Sequence, residues 1–181
     1  MKARSRDAVS RVKKTALRGT ERSLVSLLPA ETMTRVDFYH LQIWPLEKAL
    51  PPLLEKVRSA GHRAVLLTGS ATRVEVLSAL LWTYAPDSWL PHGSAVDGYA
   101  AWQPLWLTTS DENPNGADVL ILTDGMDSLR KTTYQRCLDL FDGNDAAALA
   151  TARDRWRVYR AAGCTLFYWQ QTDHGTWQQK V

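Results

Sequence analysis

Short apolar runs alternating with segments of helical spacing predict an α/β fold, a single domain with a central, largely parallel sheet and helices on both faces. Three observations predict it. Residues 62–68 and 118–123 are compact apolar runs of the kind buried inside parallel sheets. Residues 45–60 and 70–84 carry leucine-rich stripes at helical spacing. The length, 181 residues with 45% apolar content, suits one domain with an appendage.

The elements follow in order. Residues 35–42, aromatic and branched, read as a first strand. A helix over 45–60 has Leu46, Leu50, Leu53, Leu54 and Val57 as its apolar stripe and Gly61 as its stop. The strand at 62–68 completes a βαβ unit. A second helix starts at Ser70 to Thr72, with Thr72 and Glu75 at capping-box spacing, and runs to Tyr84 before Pro86. Its core stripe is Val74, Leu77, Leu80, Leu81 and Tyr84, and Trp82 falls outside it. Residues 105–109 and 118–123 read as strands joined by the turn-rich 111–116. Residues 134–141 are read as a helix, and 164–171 as a final core strand before a turn at 173–175.

Between these last two segments lies an alanine-rich helix, capped by Asn144 or Asp145, that bears the most informative run of the chain, 153–163. Taking Arg153 as zero and about 100° per residue, Trp156 falls at about −60°, Arg157 at about +40° and Arg160 at about −20°. A cationic, aromatic face results, with Val158, Tyr159 and Ala162 opposite it as the expected core side and Gly163 as the stop. A guanidinium binds a carboxylate bidentately, so this face suits an acidic ligand with an apolar anchor.

Charge is unevenly placed. Residues 1–32 hold eight Lys/Arg against three acids, a local +5, which leaves −2 of the whole-chain +3 for residues 33–181. The segment 1–32 is expected to be a basic N-terminal extension, disordered or upstream of a true start at Met33, and 33–181 the folded domain. Cys137 and Cys164 have no ligand-like spacing, so neither a zinc site nor a disulfide scaffold is indicated, and a reducing cytoplasm fits. No stretch approaches ~18 consecutive apolar residues, the length of a membrane span.

Enzymatic motifs are missing. The turn after the second strand contains only Gly69, so the arrangement is Rossmann-like without a dinucleotide fingerprint or P-loop, and no cofactor is expected. His40, His62, His92 and His174 are scattered without metal-ligand spacing, Ser70 is not in a nucleophile elbow, and Asp124 suits a turn role. No catalytic residue or metal ligand is assigned. Trp82 and Trp89 instead flank a proline-stiffened turn, and tryptophan and arginine are the types enriched at interface hot spots.

Residues 38–41, 55–65, Leu81-Trp82, 89–92 and 153–163, in that order and spacing, resemble the chi subunit family of bacterial DNA polymerase III. The resemblance covers 33 to about 170 and leaves 1–32 without a counterpart. It implies a non-catalytic α/β adaptor of the clamp loader that acts in DNA replication in the cytoplasm. Such an adaptor binds the acidic C-terminal tail of single-stranded DNA-binding protein, which ends in a phenylalanine carboxylate. The family's tail pocket maps onto Arg153, Trp156 and Arg157, where the pattern more often has Arg, Tyr and Lys. A second partner surface maps onto Trp82 and Trp89, the latter where phenylalanine is common, for a psi subunit or another clamp-loader or helicase partner. DNA would be contacted indirectly. The alternative is direct nucleic-acid binding, with the basic arm and the arginine helix as a phosphate track.

Overall fold

A computed structural model describes residues 34–180. Its centre is one eight-stranded sheet with the order β3-β4-β2-β5-β6-β1-β7-β8. The strands are β1 (Arg35–Leu41), β2 (Ala64–Leu67), β3 (Gly93–Ser94), β4 (Leu105–Thr108), β5 (Val119–Leu122), β6 (Arg136–Asp142), β7 (Thr165–Gln171) and β8 (Trp177–Gln179). Every pairing is parallel except β7 with β8, so the largely parallel α/β sheet stands as expected.

Three α-helices cover it: α1 (Leu46–Ser59), α2 (Ala71–Thr83) and α3 (Ala146–Ala161). Because strand side chains alternate in direction, the sheet feeds two cores. Tyr39, Leu66, Leu107, Ile121 and Leu138 pack with Leu50 and Leu54 of α1 and Leu77 and Leu81 of α2. Val36, Phe38, Leu67, Leu120, Cys137 and Phe141 pack with Ala152 and Tyr159 of α3. No helix among the described residues is long and apolar enough to cross a membrane.

Several local expectations are corrected. Residues 134–141 form no helix; most of the segment is β6, hydrogen-bonded between β5 and β1. A short run buried on both faces looks alike as helix or strand, and here ladder partners on both sides decide. The cap of α2 is Ser70, whose Oγ accepts the Arg73 N–H at 3.2 Å in an extended backbone, while Thr72 already lies inside the helix. Of the two expected caps, Asp145 is the one that serves α3, accepting the N–H groups of Ala147 and Ala148. The turn 111–116 does join two strands, β4 and β5, which lie on opposite sides of β2. The short β3 and β8 have no counterpart in the sequence reading.

The largest correction concerns α3. Its buried residues are Ala152, Arg155 and Tyr159, whereas Val158 is 61% exposed and Ala162 is exposed too. An arginine turns inward because Asp139 of β6 waits beneath it. Nε and Nη2 of Arg155 donate to the two carboxylate oxygens at 2.7 and 2.8 Å, with only 8% and 1% of the two side chains exposed. Burial pushes the Asp139 carboxyl up while the guanidinium fork opposes it. Tyr159 adds a second anchor, its hydroxyl donating to Asp127 at 2.5 Å.

Removing one member of such a pair leaves an uncompensated buried charge. Asp139→Ala is expected to lower the unfolding free energy by about 3–5 kcal/mol in a denaturant titration, and Asp139→Leu with Arg155→Met to recover most of that loss.

Candidate functional site

The inward turn of Arg155 sets which side chains α3 presents. Trp156 comes to rest half-buried, its ring 5.1 Å from Phe38 and 6.4 Å from Tyr168, both edge-to-face. Phe38, His40 and Tyr168 rise from the same face of β1 and β7, where Phe38 stands beside Tyr168 in register. With Phe141, Leu149 and Ala152 they enclose a cavity of about 330 Å³, and Arg153 and Arg157 stand on its rim.

The rim is electrostatically uneven. Arg157 pairs with Asp154 at 2.6 Å, both well exposed. Arg153 forms no ion pair among the described residues. At the inner wall the His40 ring, 6% exposed, shares a hydrogen bond through Nδ1 with the Tyr168 hydroxyl at 2.5 Å. Its Nε2 lies against Gly143. Burial, aided by the positive Arg153 and opposed by the Gly143 backbone and Asp142, holds the His40 pKa below the ordinary value. The cavity thus offers aromatic walls, a neutral imidazole and one unpaired guanidinium. It can take an apolar ring whose attached carboxylate reaches Arg153.

Arg153, Trp156 and Arg157 line one cavity, whereas Arg160, counted on the same helix face, does not line it. Phe38, His40, Phe141 and Tyr168 were missed as lining residues. The signal was the strand alternation that puts positions 38 and 40 on one face, together with the register that brings β7 beside them.

Trp82 and Trp89 lie elsewhere. Trp82 ends α2 at 55% exposure, with its ring 4.7 Å from that of His92, and Trp89 is 75% exposed in the loop that follows. That loop is pinned. Glu55 of α1 accepts the hydroxyls of Tyr84 and Ser88 at 2.6 Å each, and these hydrogen bonds, from Ser88 first, hold its carboxyl below the ordinary range. Leu90 is buried and its carbonyl bonds to His92 Nδ1 at 2.7 Å, while His92 Nε2 meets Ser78 on α2. The backbone is held while the two indoles face solvent.

A cleft of about 780 Å³ lies at the C-terminal ends of the strands, where α/β folds commonly bind ligands. It suits a phosphate poorly. Glu47, Asp124, Asp142 and Asp145 line it, and its arginines are engaged, Arg73 with Glu47 and Asp124 and Arg155 with Asp139. Asp124 serves the turn, accepting the Gly69 N–H at 3.1 Å from a left-handed backbone with φ 54°. Among the described residues, no group of three or more His, Cys, Asp or Glu is placed to hold a metal ion.

The sequence model of the family described as "DNA polymerase III chi subunit, HolC" matches residues 33–167. The chain belongs to this family. A similar protein of Rickettsia prowazekii (strain Madrid E), "Probable DNA polymerase III subunit chi", is 35% identical over 109 residues, 60% of this chain and 66% of the relative. The family match takes in α3, β1, the Trp82–Trp89 loop and every residue lining the α3 cavity except Tyr168, and begins just after the basic segment 1–32, which lies outside the described residues.

The lowered pKa of His40 has a definite sign. As pH falls below the unfolded value of about 6.5, the unfolded chain takes up a proton that the folded His40 resists, and stability drops. Thermal melts are expected to show Tm falling between pH 7 and 5.5, with a shallower fall in His40→Gln.

Proposed function

We propose that the chain is a non-catalytic accessory subunit of DNA polymerase III. In this reading it ties the clamp loader to single-stranded DNA-binding protein by seating that protein's acidic C-terminal tail in the α3 cavity. The carrying observation is an apolar space of about 330 Å³, walled by Phe38, Phe141 and Trp156, beside an arginine that has no ion pair among the described residues. A terminal phenylalanine would fill the aromatic space, its carboxylate would reach Arg153, and Arg157 would meet acidic residues further up the tail. A disordered peptide loses ordering entropy on binding, so one buried ring and a few charge-assisted contacts give a modest, salt-sensitive affinity. Several tails on one oligomeric binding protein would raise the avidity.

Trp82 and Trp89 would form the second docking surface, for a psi subunit or another clamp-loader or helicase partner. Two exposed indoles on a pinned backbone lose little freedom on binding. The adaptor would work at the replication fork in the cytoplasm, the domain spanning 33–181 and the basic segment 1–32 standing as an extension to it. The rival phosphate track is weakened by Arg155, which is spent on Asp139 within the helix that would have to carry the track.

Titration of a fluorescent acidic peptide ending in phenylalanine is expected to saturate, and to fail when its C-terminus is amidated. Arg153→Ala is expected to weaken binding by about 1.5–3 kcal/mol, the scale of a hydrogen bond to a charged group, and Trp89→Ala to leave it unchanged. Unchanged affinity in Arg153→Ala would exclude this cavity.

A further inference from the structure

The opposite face of the same strands holds a second site. Between α1 and the β7–β8 hairpin runs a groove of about 670 Å³, twice the volume of the α3 cavity. Its floor is built from odd-numbered positions of β1 and β7 and even-numbered ones of β6, the side chains that point away from α3. Tyr39 stacks on Trp169 with rings 8° from parallel and 5.9 Å apart, and meets Trp177 edge-on at 4.7 Å. Trp169 and Trp177, both half-buried, line the groove.

The charges are cationic and held in place. Asp37, wholly buried, takes Arg35 on both oxygens, Arg136 Nε at 2.7 Å and the Trp169 indole N–H at 2.7 Å. Burial alone would push the Asp37 carboxyl up, but these hydrogen bonds hold it below the ordinary range. One carboxylate thus orients two guanidiniums and one indole. Arg35 also lies over the Phe167 ring at 4.1 Å, and Arg136 reaches the Tyr39 hydroxyl at 3.4 Å. Lys56 of α1, exposed on the groove's other bank, has no ion pair among the described residues. The acid Asp118 is occupied with His62 at the groove's end. Arg35, Lys56 and Arg136 against Asp37 leave the lining net positive.

We propose that this groove binds a segment of single-stranded nucleic acid, with bases against the Trp169 and Trp177 rings and phosphates against Lys56, Arg35 and Arg136. Aromatic rings set among cations are how proteins hold single strands without reading sequence, because every base has a flat π-face. An acidic peptide would use the cations but has no need of two rigidly oriented indoles. The groove and the α3 cavity lie on opposite faces, so both can be filled at once.

The test uses the full chain and a fluorescent dT15 oligonucleotide at low salt. Binding is expected to weaken at least about fivefold in Trp177→Ala. Lys56→Glu should both weaken binding and lower the slope of log affinity against log salt by about one. Ultraviolet crosslinking of the wild-type protein to the oligonucleotide, mapped by mass spectrometry, should label peptides containing Trp169 or Trp177, and this arm stands even if a variant is misfolded. Absence of oligonucleotide binding, crosslinks confined to residues 1–32 or to α3, or an acidic peptide that competes at the groove would each overturn the proposal.

Discussion

The buried pair Arg155–Asp139 is the constraint on which the rest of the structure turns. It couples the outer helix to the middle of the sheet through two short hydrogen bonds, and its geometry admits only one rotation of α3 about its axis. That rotation decides which residues lie inward, which rest half-covered and which stand clear. Had apolar contact alone set the helix, Val158 would sit in the core. Instead Val158 is exposed, Trp156 becomes a wall against Phe38 and Arg153 stands free of ion pairs among the described residues. A directional interaction has overruled a non-directional one, at the desolvation cost that buried charges carry.

A similar economy appears on the other side of β1. Asp37 does for the lower face what Asp139 does for the upper, each a carboxylate inside the sheet that sets the direction of groups at the surface. Around the Trp82–Trp89 loop Glu55 does this from a helix. In each place an acid rigidifies its surroundings, and what is displayed outward is aromatic or cationic.

Most of the sheet was legible in sequence because β1, β2, β4, β5 and β7 are apolar or aromatic runs bounded by turn residues, and the stripe of α1 has strict helical spacing. The segment 134–141 was not, because a run buried on both faces carries no period by which helix and strand can be told apart. The cavity was half legible. Arg153, Trp156 and Arg157 share one helix, where angular spacing can be counted, whereas Phe38, His40 and Tyr168 join them only through the parallel register of β1 and β7. The inward place of Arg155 was not legible for a related reason. Its partner Asp139 lies 16 positions away on a strand taken for a helix, so nothing local announced a buried charge.

The position of β1 bears on how the chain is made. It is the first described strand to leave the ribosome, yet its only sheet neighbours are β6 and β7, with Arg35 beside Arg136 and Thr165. Throughout synthesis of the intervening residues both of its edges stay open, with Phe38 and Tyr39 uncovered. Long-range parallel pairing of this kind folds slowly and leaves sticky intermediates. The pairing of β1 therefore waits until β6 and β7 have both emerged.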